Sequence, residues 1–357
     1  MEHQTEPILE IRDLYTSFLT GSGVIPAVRG VDLRVNRGEC LGVVGESGSG
    51  KSVTFLSVLR LLAATGRIMA GEIRFEGREL TRMTSRQIRE VRGGDIAMIF
   101  QDPASSLNPL LPVGDQVGEM LWSHNRSLNR RDRDAKVLEL LRMVRIPEAE
   151  KRLGSYPHEF SGGMRQRVMI AMALACQPSL LIADEPTTAL DVSIQDQILK
   201  LMRSLQADLG MSIVFITHDL GVVAELCSRV IVMYGGLVME EAPIDALFEG
   251  PLHPYTRGLL ASIPNIRQDK SQRLRPIPGS PPDMSHPPDG CPFAPRCLYA
   301  RNACVWELPP IFAFSGGRSC RCWLCAPDAP AEDNPLYQRT APAKNPIQEE
   351  AERGERG

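Results

Sequence analysis

The run Gly45-Glu46-Ser47-Gly48-Ser49-Gly50-Lys51-Ser52 has the form G-x-x-x-x-G-K-[ST], a spacing suited to gripping phosphate. Glycines let the backbone wrap closely around an anion. Lys51 is placed to reach the β- and γ-phosphates of a nucleotide, and Ser52 to hold Mg²⁺. The flanks agree with this chemistry. Cys40–Val44 is a short apolar run that reads as a buried strand, and Ser52–Leu59 reads as a helix. A helix N-terminus offers unpaired N–H groups and a positive dipole end, both of which favour phosphate. A plain glycine-rich turn is the bland alternative. The Lys-Ser pair and both flanks favour nucleoside triphosphate binding over it.

Further residues could complete such a site. Ser179–Asp184 reads as an apolar strand, and Glu185 follows its last carboxylate directly. An acid at that strand end suits Mg²⁺, and the second acid could polarise a water for attack on the γ-phosphate. Ile213–Thr217 is a second buried strand, ending at His218; a histidine there, taken alone, is more often structural than catalytic. Ile96–Phe100 is a third, with Gln101 after it. Ser161-Gly162-Gly163-Met164-Arg165-Gln166 leads into an apolar helix, so its N-terminus is a second candidate anion site, although an ordinary N-cap explains Ser161 equally well. Phe18 precedes the turn Thr20–Gly23 and could stack on a purine base, or be a core residue instead.

The chain has nine cysteines, six of them between Cys291 and Cys325. Cys40, Cys176 and Cys227 lie in apolar stretches and read as core. The cluster suggests metal or an iron–sulfur centre more than disulfides in a cytosolic chain. Cys291, Cys297, Cys304 and Cys320 are the candidate ligands, with Cys322 as substitute for Cys320. Their spacing lacks the paired short gaps usual for zinc, while four thiolates suit [4Fe–4S]. Iron–sulfur, zinc and no metal all stay open, and stapling of a Pro-rich segment is the plainest role.

These groups need a frame. The 357 residues allow one large domain with an appendage, or two domains. A net charge of −3 gives no basic field for nucleic acid. No apolar run approaches membrane-spanning length, and Met1-Glu2-His3-Gln4 does not read as a signal peptide, so a cytosolic chain is expected. Ile8–Ile11 and Val31–Val35 alternate as strands, with an irregular connection expected between them. Gly71–Gly77 is another short strand, and Val230–Tyr234 with Gly236–Glu240 suggests a hairpin. Residues 103–160 lose strand signals and gain helix patterns, as an insertion in an α/β core would. The reading is an ATPase domain over 7–250, a Cys/Pro-rich extension over 251–325 and a tail over 326–357 too poor in large apolar groups to fold.

Taken in order, these motifs resemble the ATP-binding subunits of ABC transporters, particularly those of oligopeptide and dipeptide importers. Gly45–Ser52 matches the family's Walker A, Leu180–Glu185 its Walker B and Ser161–Gln166 its signature. Gln101 matches the Q-loop, Thr188-Ala189-Leu190-Asp191 the D-loop and His218 the H-loop. The importer branch is suggested by Gln101-Asp102-Pro103 with Ser105–Pro109, by Tyr156–Arg167, by His253-Pro254-Tyr255-Thr256 and by Cys291–Cys297. The implied fold is α/β: a P-loop NTPase (RecA-like) core with an antiparallel β subdomain, an inserted helical subdomain and a small Cys/Pro-rich C-terminal extension.

The resemblance also implies roles. ATP would be sandwiched between one subunit's P-loop and the signature of another. Glu185 would be the base, His218 would contact the γ-phosphate, and Ser52, Asp184 and Gln101 would hold Mg²⁺. Asp191 would cross the dimer interface. Phe18 would stack on adenine, with Tyr15 as alternative. Met164 in the signature, where many relatives have Gln, suggests a heterodimer with a second ATPase. The implied partners are two membrane permease subunits and, indirectly, an extracytoplasmic solute-binding protein. The chain would then sit at the cytoplasmic face of the cell membrane as a peripheral subunit. Nickel importers are close relatives, so the solute stays open. ABC ATPases of DNA repair or translation usually carry a coiled-coil insertion or two cassettes, and neither is present. Exporter cassettes lack the importer strings.

Overall fold

The computed structural model describes residues 7–21, 23–101, 106–188, 190–263, 277–327 and 329. Residues 102–105, Ala189 and nearly all of the expected tail, 328 and 330–357, lie outside the described residues.

Two sheets make the frame. Strands β1 (Pro7–Thr20) and β2 (Gly23–Asn36) form a long antiparallel hairpin. Strand β3 (Cys40–Val44) enters the second sheet, while β4 (Gly66–Phe75) and β5 (Arg78–Glu79) return to the first, in the order β2-β1-β4-β5. The second sheet continues with β6 (Ile96–Ile99), β7 (Leu180–Asp184), β8 (Ser212–Thr217), β9 (Arg229–Tyr234), β10 (Leu237–Pro243), β11 (Phe312–Phe314) and β12 (Arg318–Cys320). Its order is β11-β12-β10-β9-β3-β8-β7-β6.

The hairpin differs from the expected pair of short strands. β1 runs unbroken through Leu14–Phe18 because several register shifts absorb the breaks in alternation, one of them beside Asp13, whose φ is +46°. Phe18 is therefore a strand residue, opposite Ile25 and Gly66. The expected hairpin about Gly235-Gly236 is present as β9 and β10.

The centre of the second sheet is parallel and buried on both faces, which is why β3, β7 and β8 read as continuous apolar runs. Val44 lies opposite Thr217, Asp184 opposite Ile216, and Ile99 opposite Ala183. The strand ends that lead into Gly45, Gln101, Glu185 and His218 therefore emerge at one edge. Helices Val113–His124, Arg130–Met143 and Ala149–Arg152 form the expected insertion. They pack through Val117, Leu121, Val137, Leu140 and Leu141 into the main core. The C-terminal extension is continuous with that frame: β12 pairs with β10, placing Cys320 opposite Glu240.

Candidate functional site: a nucleotide site at the ends of four parallel strands

The loop between β3 and helix Lys51–Val58 is closed by backbone that only glycine tolerates. Gly45 has φ +155°, and a Cβ there would lie 2.2 Å from the Met233 carbonyl oxygen. Gly50, the helix N-cap, has φ +98°, with the Ala27 carbonyl 2.6 Å from where a Cβ would be. Lys51 Nζ donates to the carbonyls of Gly45 and Glu46 at 2.6 and 2.9 Å and to Ser49 Oγ at 3.3 Å. Burial pushes its pKa down, and the carboxylates of Glu185, Asp184 and Glu46 oppose that shift. Ser47 and Gly48, at the crown of the loop, are exposed, while Ser49 is buried.

Ser52 Oγ donates to Asp184 Oδ1 at 2.9 Å, joining the loop to the end of β7. Burial raises the Asp184 pKa, the Ser52 bond lowers it, and the neighbouring Glu185 raises it further. A hydroxyl and a carboxylate at this spacing are hard oxygen donors suited to Mg²⁺, which fills its remaining positions with phosphate oxygen and water. The residues therefore fit the ion.

Glu185 has φ +47°, in the left-handed region that a non-glycine residue rarely occupies. Its N–H donates to the Ile216 carbonyl at 2.9 Å, which ties the turn to β8. Its carboxylate is held from three sides. Gln101 Nε2 and Thr188 Oγ1 donate to Oε2 at 3.0 and 2.9 Å, and His218 Nδ1 stands 3.3 Å from Oε1. The structure thus brings Lys51, Ser52, Gln101, Asp184, Glu185 and His218 to one edge of the sheet.

The signature residues lie elsewhere in the chain. Ser161 caps helix Gly162–Leu174 by accepting from Met164 N–H at 3.3 Å, and Ser161 and Gly162 are exposed. Gln166 is buried. Among the described residues, no hydrogen bond or ion pair joins this helix start to the phosphate loop. Asp191 is exposed and caps helix Val192–Leu209 through Ile194 N–H at 2.9 Å. Phe18 is half-buried near the turn end of the hairpin, and Tyr15 is exposed.

The cysteines fall into two groups. Cys291, Cys297, Cys304 and Cys322 line one enclosed cavity with His253, Phe293 and Trp323. Cys320 does not line that cavity; it sits among Leu252, Cys322, Leu324 and Cys325, so Cys322 belongs to both groups. Burial pushes the Cys291 thiol up to about 12 and the Cys297 thiol up to about 11. The four thiols have the number and softness that an iron–sulfur cluster takes. Among the described residues, however, no group of His, Cys, Asp and Glu stands gathered as a ready metal site.

Sequence reading missed Thr188 as a Glu185 partner, and it missed the contacts that the extension makes with the phosphate loop. Tyr255 and Arg296 lay inside runs that were noticed only for their resemblance. Nothing in their local spacing points to a loop more than two hundred residues away.

A phosphate loop, a paired acid at the next strand but one, a histidine between them and a detached second helix start together define an ATPase of the cassette type. Comparison with known proteins agrees. The ABC transporter family pattern matches residues 28–188, and the pattern for the oligopeptide/dipeptide transporter C-terminal region matches residues 239–304. The chain is 50% identical over 329 residues to the oligopeptide transport ATP-binding protein OppD of Bacillus subtilis, covering 92% of each chain. It is 47% identical over 320 residues to OppD of Haemophilus influenzae, covering 90% of this chain and 98% of that one. Among solved structures it resembles the dimeric ATP-binding cassette MJ0796 bound to ADP and phosphate, with TM-score 0.60 and 29% identity over 66% of this chain and 98% of that one. The chain belongs to the ABC transporter ATP-binding proteins, in their oligopeptide/dipeptide branch.

Proposed function

We propose that this chain hydrolyses ATP to drive peptide import, as one of two ATPase subunits on the cytoplasmic face of a membrane permease. The observation that carries the reading is the union, in one chain, of the Glu185-centred nucleotide site with an extension of the oligopeptide/dipeptide type. No helix among the described residues is long and apolar enough to cross a membrane, so the membrane link is assigned to partners.

In this reading Lys51 and the loop N–H groups hold the triphosphate, Ser52, Asp184 and Gln101 hold Mg²⁺, and Phe18 stacks on the base. When bound, Mg²⁺ draws charge from the phosphate oxygens. Glu185 takes the proton of the attacking water, and His218 orients that carboxylate and contacts the γ-phosphate. The exposed Ser161-Gly162 start closes over the ATP of the partner subunit, with Asp191 at the interface. Met164 favours a partner that is a different ATPase. The permease seats a helix in the groove lined by Leu61, Met98, Phe100, Met120, Met169 and Met172, which adjoins Gln101 and the helical insertion. The solute-binding protein meets the permease on the far side. Cys291, Cys297, Cys304 and Cys322 hold a [4Fe–4S] cluster that staples the extension, with Cys322 taking the fourth place rather than Cys320.

The test is reconstitution in vesicles with the permease and binding protein of its source organism that it assembles with. ATP-dependent uptake of labelled di- and oligopeptides is expected. Uptake of nickel with no peptide response would overturn the peptide assignment.

A further inference from the structure

The extension grips the phosphate loop. Arg296, its side chain 6% exposed, donates from Nη1 and Nη2 to the two carboxylate oxygens of Glu46 at 2.6 and 3.1 Å. The guanidinium is itself fixed. Its Nε donates to the Pro278 carbonyl at 2.8 Å, Nη1 to Tyr234 Oη at 3.0 Å and Nη2 to the Ile277 carbonyl at 3.2 Å. The Glu46 N–H donates to Tyr255 Oη at 2.8 Å, and the buried Tyr255 ring packs against Tyr234 and Phe293. Phe293 and Arg296 lie in the segment from Cys291 to Cys297, so the wall of the thiol cavity and the grip on the loop are one piece of chain.

None of these contacts is needed for chemistry at Glu185, yet their position matters. Glu46 is the second residue of a loop that must receive a highly charged anion, and a free carboxylate there repels it. A bidentate arginine pair is the strong, directional way to neutralise such a group. The small cavity between Glu46–Ser49 and Tyr234, Gly235, Pro281, Pro282 and Met284 shows that the loop is not packed solidly on that side. Fixed contacts, not bulk, therefore hold it.

We propose that Arg296 is a positioning residue for ATP: it neutralises the Glu46 carboxylate and holds it out of the phosphate cradle, so that the C-terminal extension completes the nucleotide site. The proposal rests on Gly45–Ser52 being the ATP-binding loop. The test is titration of the full chain with fluorescent methylanthraniloyl-ATP and Mg²⁺, together with steady-state ATPase in the assembled transporter. Arg296→Ala should weaken binding about tenfold or more and raise KM for ATP with kcat little changed. Adding Glu46→Gln to that variant should return Kd to within about threefold of wild type, because the repelling charge is gone. Arg296→Lys keeps the charge but loses the fork and its anchors, and should fall between wild type and Arg296→Ala. A wild-type Kd in Arg296→Ala, or a double variant as weak as the single one, overturns the proposal. Should Arg296→Ala fail to fold, a wild-type Kd in natively melting Arg296→Gln, which removes the charge and the fork, overturns it instead. Absence of binding by wild type, or undiminished binding by Lys51→Ala, would instead overturn the ATP reading of the loop.

Discussion

Nδ1 of His218 stands 3.3 Å from Oε1 of Glu185, while the other carboxylate oxygen already accepts two hydrogen bonds, from Gln101 and Thr188. The two oxygens are thus unequal: Oε2 is anchored, and among the described residues Oε1 has the histidine as its polar neighbour. A water placed against Oε1 would meet a carboxylate that cannot rotate away. Glu185→Gln keeps the shape and an acceptor oxygen but cannot take up a proton. The variant should bind ATP as wild type does and lose about 10²-fold or more in kcat. Its closed, ATP-loaded dimer should accumulate and be visible as a larger species in gel filtration. Turnover near wild type would remove Glu185 from the role of base.

A second consequence concerns the separation of the two helix starts. Ser161 and Gly162 are exposed, and so are Ser47 and Gly48 on the phosphate loop. In the proposed dimer each is half of a site that another subunit completes. ATPase activity per chain should therefore fall on dilution of the ATPase subunits in the absence of permease. A bulky Ser161→Arg substitution should abolish activity while leaving the chain's own nucleotide binding within about twofold. Concentration-independent turnover would contradict the shared site.

How far the sequence carried depended on the distance between interacting residues. The phosphate loop, the Asp184-Glu185 pair and the strand preceding His218 are local patterns, and the parallel register then brings them together without further specification. The hairpin β1–β2 was harder, because its register shifts interrupt the alternation that signals a strand. Phe18 consequently looked like a loop residue. The grip of Arg296 on Glu46 joins residues 250 positions apart, and no periodicity encodes such a contact. The choice between Cys320 and Cys322 was likewise beyond spacing rules. The proposed choice of Cys322 rests on β12 ending at Cys320, whose side chain stays beside Leu252, while Cys322 reaches the cavity.

That last difference sets up a direct comparison. If the proposed cluster is present, Cys322→Ser, purified without oxygen, should lose most of the iron and acid-labile sulfide that the wild-type chain then carries. Cys320→Ser should retain both, since Cys320 does not line the cavity. Equal iron loss in the two variants would move the fourth ligand back into doubt, and a colourless wild-type chain free of iron and zinc would leave the thiols a purely packing role.

Glu240 provides a stability test of the joint between sheet and extension. Its carboxylate is fully buried and accepts from the N–H groups of Leu252 and His253 at 2.7 and 2.9 Å, so it caps the turn from which helix Pro254–Ala261 starts. Glu240→Ala strands both donors away from water and should cost about 2–4 kcal/mol, read as an earlier urea midpoint at pH 7. Glu240→Gln keeps an acceptor and should cost less. Burial raises the Glu240 pKa above the ordinary glutamate value, and the two N–H bonds only partly offset that rise. Between the unfolded and folded values the unfolded chain has already released its proton while the native chain keeps it. The stability contributed by the acid is therefore greatest at low pH and falls as pH rises through that window. The advantage of wild type over Glu240→Gln should accordingly be largest near pH 4 and shrink toward neutrality. An advantage that grows with pH would mean that the carboxylate is held in its charged form, with Arg318, 3.9 Å away, as the dominant partner instead of the two backbone donors.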